Sequence, residues 1–253
     1  MHKMRIAVTG ATGQMGTNVL KSARDREIEI GLAVDRKEVE NRGVKVQSDE
    51  NFEQLLREKP VDVIVDFTVP EATMKYLEAA KETSTPIVIG TTGFSDEQEE
   101  SIESAGDEIP VLWASNFSPS INVMRELVRE AAAKLEDYDI EVTETHHNRK
   151  RDAPSGTANT FLEEIREARG DFEEVHGREG KAPRTEDEVG VHAKRAGDIK
   201  GTHEVLMAGE EEVLKIKHRS ESREVFSSGA LKAAEWLQNQ KPGFYSFSEV
   251  LEG

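Results

Sequence analysis

Short apolar runs and helix-spaced segments alternate through the first half of this 253-residue chain, and that rhythm leaves few folds open. Residues 4–9, 28–34, 61–66, 86–89 and 110–114 are strand-like. Between them, residues 14–24, 51–58, 71–82 and 96–105 place apolar side chains at helical spacing, as with Met15, Val19, Leu20 and Ala23. A strand–helix repeat predicts a Rossmann-like, doubly wound α/β domain: a parallel sheet with helices on both faces. Ligands of such sheets bind beyond the carboxyl ends of the strands. Strand ends are therefore where function is to be sought.

The rhythm changes near residue 118. Residues 120–135 form an amphipathic helix, 140–145 a strand and 155–168 a helix. Residues 171–188 are polar and glycine-bearing, which predicts a loop. Residues 189–195, 202–208 and 212–218 then read as strands with no helix between them. This is the pattern of a second, α+β domain with an open antiparallel or mixed sheet. Residues 225–238 are helical again and are expected to return to the first domain. The expected division is a dinucleotide-binding domain over 1–117, joined by 224–253, and a substrate-binding and oligomerisation domain over 118–223.

Composition excludes several classes. Asp and Glu number 50 against 33 Lys and Arg, a formal charge of −17. Such a surface repels nucleic acid and anionic membranes, so neither is expected as a partner. With no cysteine, disulfides, thiol catalysis and thiolate metal sites are ruled out. No run approaches the ~18 apolar residues of a membrane span, and a soluble cytoplasmic protein is expected. A solvated acidic surface also suits very high salt, where screening removes self-repulsion; halophilic behaviour is the corresponding expectation.

The first strand runs into Gly10-Ala11-Thr12-Gly13-Gln14-Met15-Gly16 just before a helix. Glycines at such a junction permit a tight turn and let a pyrophosphate approach the helix N-terminus. The spacing is G-x-x-G-x-x-G rather than G-x-G-x-x-G, a less specific signal. Asp35 closes the second strand, where an acid accepts hydrogen bonds from a ribose 2′-hydroxyl, and Arg36 beside it can pair with a 2′-phosphate. The cofactor is thus NADH or NADPH, with the preference open. Gly90, Thr91 and Thr92 follow another strand, and Ala114, Ser115, Asn116 and Phe117 the next. Together they can line a nicotinamide pocket. Asp66 and Thr68, at a further strand end, rank below the glycine loop as cofactor contacts.

Residues 146–151 read His-His-Asn-Arg-Lys-Arg. In so acidic a chain this basic cluster predicts a receptor for a small anion. His146 and Lys150 bring imidazole and ammonium, both able to donate protons near neutral pH. Ser155-Gly156-Thr157 reads as a helix start, where backbone N–H groups bind carboxylates. Arg149 and Arg151 read as solvated. His192, His203 and His218 fall on predicted strands, but no acidic ligand spacing accompanies them. No metal is expected, and His203 and His218 are assigned to packing or interfaces.

These residues add up to a resemblance. G-A-T-G-Q-M-G at 10–16, D-F-T at 66–68, G-T-T-G at 90–93, N-F-S at 116–118, E-x-H-H-x-x-K-x-D-A-P-S-G-T-A at 144–158, R-A-G-D-I at 195–199, G-x-H at 201–203 and H-x-x-x-S-R at 218–223 occur in order along the chain. The set resembles the 4-hydroxy-tetrahydrodipicolinate reductase (dihydrodipicolinate reductase) family of lysine biosynthesis by the diaminopimelate route. The 144–158 stretch is the specific part; the glycine loop is not. The resemblance implies an NAD(P)H-dependent oxidoreductase acting on a small cyclic dicarboxylate. It implies His146 as proton donor and acceptor, Lys150 as second proton donor, His147 as a substrate contact, and Gly156 with Thr157 as holders of a substrate carboxylate. It implies dinucleotide contacts from Gly10 through Met15, at Asp35 and Arg36, over 90–92 and over 114–117. Interdomain hinges near 116–117 and 222–223, and a homotetramer formed through the second domain's sheet, are implied as well. Two departures stand out. Ser120 replaces the glycine of the family's N-F-S-x-G-V-N, and the 169–188 loop is short and acidic. Another two-domain nicotinamide dehydrogenase would share the first half but leave H-H-x-x-K…S-G-T unexplained. A non-catalytic dinucleotide sensor would leave the paired proton donors without a task.

Overall fold

The computed structural model describes residues 3–253. In chain order the elements are β1 (Arg5–Thr9), α1 (Gln14–Asp25), β2 (Glu29–Asp35), β3 (Val39–Asn41), β4 (Val44–Ser48), α2 (Phe52–Glu58), β5 (Val63–Asp66), α3 (Pro70–Glu82), β6 (Ile87–Ile89), α4 (Asp96–Ser104), β7 (Pro110–Trp113), α5 (Pro119–Lys134), β8 (Asp139–His146), α6 (Gly156–Arg169), β9 (Glu173–His176), β10 (Glu188–Arg195), β11 (Thr202–Ala208), β12 (Val213–Arg219), α7 (Glu224–Leu237), β13 (Gly243–Tyr245) and α8 (Phe247–Glu252). They form two compact units. One runs up to Ser118 and includes Glu224–Gly253; the other is Pro119–Arg223.

The first unit carries an eight-stranded sheet in the order β13-β7-β6-β5-β1-β2-β4-β3. Neighbouring strands run parallel except β3, which runs antiparallel to β4. Alternation along each strand fills both faces. Ile6, Val8, Val63 and Val65 pack with Val19, Leu20 and Ala23 of α1 and Ala230, Leu231 and Ala234 of α7. Ala7, Leu32, Val34 and Ile64 pack on the other face with Leu56 of α2, Leu77 and Ala80 of α3 and Ile102 of α4. The sheet is doubly wound, as the rhythm predicts. The acidic α4 is held at its start by a capping box between Ser95 and Gln98, which satisfies two otherwise unpaired backbone N–H groups.

Five elements escape the sequence reading. β3 and β4 form a hairpin whose two turn residues, Arg42 and Gly43, have φ of 53° and 69°. Two successive left-handed residues make the two-residue turn that matches strand twist, but Arg-Gly is a weak signal for it. β9 lies inside the segment expected to be loop and pairs with β10. β13 and α8 complete the first unit at its far edge, where β13 adds to β7.

The second unit's sheet has the order β12-β11-β8-β10-β9. β8 is central, parallel to β10 and antiparallel to β11, so the sheet is mixed. Ile140, Val142, Val189, Val191, Val205 and Met207 form one apolar face, and Val128, Ala132, Phe161 and Ile165 of α5 and α6 cover it. The period of two continues along β8 beyond the apolar residues. Ile140 and Val142 are followed on the same face by Glu144, 1% exposed, and then by His146. A core face that ends in Glu and His carries polar chemistry into a buried place.

Candidate functional site

The first unit's glycine loop is built for close backbone approach. Gly10 has φ +63°, and a Cβ there would stand 2.6 Å from Phe67 O. A Cβ on Gly16 would overlap Gly10 O and stand 2.8 Å from Ala11 Cα. Gly13 caps α1 with no side-chain cap, so no side chain covers the helix's first-turn amides. Thr12 donates from its N (2.9 Å) and its Oγ1 (2.6 Å) to Asp35 Oδ2, and Arg36 N donates to Asp35 Oδ1 at 2.7 Å. Burial alone would raise the Asp35 carboxyl; the Thr12 and Arg36 hydrogen bonds outweigh it and hold the group below the usual carboxylate range. Helix-start amides for a pyrophosphate, with an ionised carboxylate beside them for a ribose hydroxyl, are the donor set of a nicotinamide dinucleotide site.

Asp66 organises the neighbouring strand ends from within. Its Oδ1 accepts from Thr9 Oγ1 (2.5 Å) and Thr68 Oγ1 (2.7 Å), and its Oδ2 from Thr73 Oγ1 (2.6 Å) and Thr91 Oγ1 (2.9 Å). The residue is 0% exposed and therefore offers no surface to a cofactor, which corrects its ranking as a candidate contact. Burial pushes its carboxyl up while the four hydroxyls pull it down, and the net direction is upward. Thr91 also accepts from Thr68 N at 2.9 Å, and its carbonyl accepts from Trp113 Nε1 at 3.0 Å, which pins the 90–92 loop. Gly90 is required there, since a Cβ would fall inside the Phe67 ring. In the 114–117 stretch, Asn116 Oδ1 accepts from Ser118 N at 2.8 Å. The Phe117 ring is buried against Phe67 and Phe247, so any part it plays toward a ligand runs through its backbone.

In the second unit, His146 Nδ1 lies 2.6 Å from Glu144 Oε2. Burial would raise the Glu144 carboxyl, but Arg195 and His146 hold it below the usual range. An ionised carboxylate only accepts, so Nδ1 carries the hydrogen and Nε2 is the free edge. The β8–β10 register sets Arg195 opposite His146. Lys150 Nζ pairs with Asp152 Oδ2 at 2.8 Å, its side chain 20% exposed. Arg149 pairs with Asp198 at 2.5 Å and is 67% exposed, a solvated role. Ser155 caps α6, its Oγ accepting from Ala158 N at 3.3 Å. A Cβ on Gly156 would meet nothing within 4 Å, so the helix start faces open space.

His147 Nε2 accepts from Arg223 Nη2 at 2.8 Å. Burial, then the Arg223 and Arg149 charges, push its imidazole down. The neutral ring must carry its hydrogen on Nδ1, which is buried and has no hydrogen-bond partner among the described residues. A buried donor left unpaired is costly unless a ligand meets it. Among the described residues no three His, Asp or Glu side chains gather as a metal site; His192 pairs with Glu141 at 2.7 Å.

His203 packs between the His146, Phe161 and His218 rings, 3.2 Å from Ser155 Oγ. Burial, then the charge of His146, push its imidazole down to about 3 from 6.5. A base with a depressed folded pKa binds fewer protons folded than unfolded across that window. Stability is therefore full above pH ~6.5 and is lost as pH falls toward ~3, by up to a few kcal/mol. Urea titrations at stepped pH are expected to show wild type losing stability in this window relative to His203→Gln. Parallel curves would contradict the assignment.

Two family models match this chain: dihydrodipicolinate reductase, N-terminus, over residues 4–117, and dihydrodipicolinate reductase, C-terminus, over residues 120–251. The chain belongs to the dihydrodipicolinate reductase family. It is 49% identical to 4-hydroxy-tetrahydrodipicolinate reductase of Haloarcula marismortui, over 98% of this chain and 99% of that one. It is 45% identical to the enzyme of the same name from Natronomonas pharaonis, over 98% and 100%. Among solved structures it is similar to the dipicolinate-bound dihydrodipicolinate reductase of Paenisporosarcina sp. TG-14. That match has TM-score 0.82 and 25% identity and covers 97% of this chain and 98% of that one. Seen as a dihydrodipicolinate reductase, the chain brings His146, His147, Lys150, Gly156 and Thr157 together at one end of the second unit's sheet. Glu144, Arg195 and Gly201, which had no role assigned from sequence, join them there, as does Arg223, expected only at a hinge.

Proposed function

We propose that this protein catalyses NAD(P)H-dependent reduction of 4-hydroxy-tetrahydrodipicolinate to tetrahydrodipicolinate, the reductase step of lysine synthesis by the diaminopimelate route. The observation that carries this reading is full-length similarity to reductases of that name, together with the Glu144–His146 pair beside a capped helix start. When bound, the reduced dinucleotide supplies a hydride. The 10–15 turn and Asp35 would hold it, Arg36 would meet a 2′-phosphate where present, and the 90–92 and 114–117 loops would border the nicotinamide.

The substrate's two carboxylates enter a protein of net charge −17. Local cations and helix-start amides overcome the distant field because near charges in a low dielectric dominate far, screened ones. The amides of Gly156 and Thr157 hold one carboxylate, and the unpaired Nδ1–H of His147 adds a donor. Loss of the 4-hydroxyl together with a hydrogen of the adjacent carbon, as water, leaves a conjugated C=C–C=N system, and hydride addition to that system leaves an enamine-like anion that needs one proton. His146 gives it from Nε2, and Lys150 serves as the second acid. A dinucleotide sensor would bind cofactor and dipicolinate without turnover; oxidation of NADH or NADPH with substrate excludes that reading.

A homotetramer in the cytoplasm goes with this proposal. Val213 and Leu214, 55% and 40% exposed on the edge strand β12, support an interface on the second unit. Light scattering is expected to give four copies; a monomer at micromolar concentration contradicts it. The acid excess supports salt dependence. Screening shortens from about 10 Å at 0.1 M to about 3 Å at 1 M salt, so Tm is expected to climb over that range. A Tm unchanged from low to molar KCl rejects halophily.

A further inference from the structure

Both oxygens of the Glu144 carboxylate are fully engaged. Oε1 accepts from Ser155 N at 3.2 Å and Arg195 Nη2 at 2.8 Å. Oε2 accepts from His146 Nδ1 at 2.6 Å and Arg195 Nη1 at 2.9 Å. Arg195 also donates to Asp152 O at 2.6 Å. A carboxylate 1% exposed is tolerated only when charge-assisted donors meet it. Here one donor comes from the imidazole and one from the N-cap residue of α6.

We infer that Glu144, clamped by Arg195, is a positioning residue that fixes His146 in the Nδ1–H tautomer, presents Nε2 to the substrate, and ties that acid to the start of α6. The inference rests on the reading of His146 as proton donor. The free edge is kept open by Gly201, where a Cβ would stand 3.2 Å from His146 Nε2. In the transfer the Nε2–H bond of the imidazolium breaks and a C–H bond forms on the substrate anion. Neutral imidazole remains, with its other hydrogen still on Nδ1 and donated to Glu144. Solvent returns the proton to Nε2, and Glu144 takes none at any stage.

The two oxygens have different neighbours, and that makes a glutamine informative. In Glu144→Gln the amide oxygen can keep Ser155 N and Arg195 Nη2, which leaves the NH2 facing His146 Nδ1 and Arg195 Nη1. An NH2 donates only, so the ring must turn to the opposite tautomer, with its hydrogen on Nε2. The same inversion of an imidazole held by a carboxylate costs up to about 10⁴-fold in kcat in hydrolases with that arrangement.

The test combines histidine ¹⁵N spectra with kinetics. Long-range ¹H–¹⁵N spectra of the neutral form, assigned with His146→Gln, are expected to show His146 protonated at Nδ1 in wild type and at Nε2 in Glu144→Gln. The variant's kcat is expected to fall about 10²–10⁴-fold with KM changed less than about threefold, since the Ser155 contact survives. A wild-type His146 protonated at Nε2 overturns the proposal by itself, whether or not the variant folds. So does a Glu144→Gln enzyme with near-normal kcat, or one whose KM rises as steeply as its kcat falls. If His146→Gln retains turnover, the reading of the reaction fails instead, and the tautomer result stands apart from it.

Discussion

Glutamine in place of His146 is expected to lower kcat by about 10²–10⁴-fold, the usual worth of a positioned general acid. The side chain is 12% exposed and held through Nδ1, so glutamine fills the space without an ionisable edge. NADH binding, which belongs to the first unit, is expected to stay within about twofold. Lys150→Ala separates two duties. Loss of kcat alone makes the ammonium a proton donor; a rise in KM alone makes it a charge partner for the carboxylates. Its pairing with Asp152 at 2.8 Å keeps the ammonium oriented before substrate arrives. Steady-state kinetics on both variants decide the matter. Near-wild-type turnover in His146→Gln would remove the imidazole from the chemistry.

Gly16→Ala is expected to be a strongly damaging single methyl at the glycine loop. The new Cβ would overlap Gly10 O and crowd Gly10 C and Ala11 Cα at 2.8 Å. All three are backbone atoms between a strand end and α1, and none can rotate away. Overpacking costs about 1–3 kcal/mol, occasionally more, and the shift must be taken by the turn proposed to hold the dinucleotide. Urea denaturation is expected to show the loss, and fluorescence titration with NADH at least a tenfold weaker Kd. Gly156→Ala is the contrast. Its Cβ meets no atom within 4 Å, and alanine suits a helix better than glycine. Stability should hold within about 1 kcal/mol while KM rises, because the methyl enters the space assigned to a substrate carboxylate. If Gly16→Ala binds NADH normally, the loop is not the cradle described.

The alternation of strands and helices was legible because both faces of the first sheet are apolar, and apolar periodicity is what a sequence displays. The β3–β4 hairpin was not, since only Val39, Val44 and Val46 mark it and its turn is Arg-Gly. β9 was missed because Glu173, Glu174 and His176 surround a single valine. Its strand character comes from pairing with β10, a tertiary effect. At the site, His146, Lys150 and the helix start at 155–157 stood out by residue type and spacing. Glu144 did not, although the signal existed. Ile140, Val142, Glu144 and His146 share one face of a strand, and an acid on that apolar face is unusual. Arg195 could not be assigned from sequence, because its role follows from β10 lying beside β8. The Thr12–Asp35 and Asp66–threonine contacts likewise join strand ends that only the folded sheet brings together.

The central claim is an activity, and one assay addresses it directly: oxidation of NADH or NADPH followed at 340 nm with freshly generated 4-hydroxy-tetrahydrodipicolinate. Oxidation that requires both protein and substrate is the predicted result. Cofactor binding with no oxidation under any salt condition would contradict it.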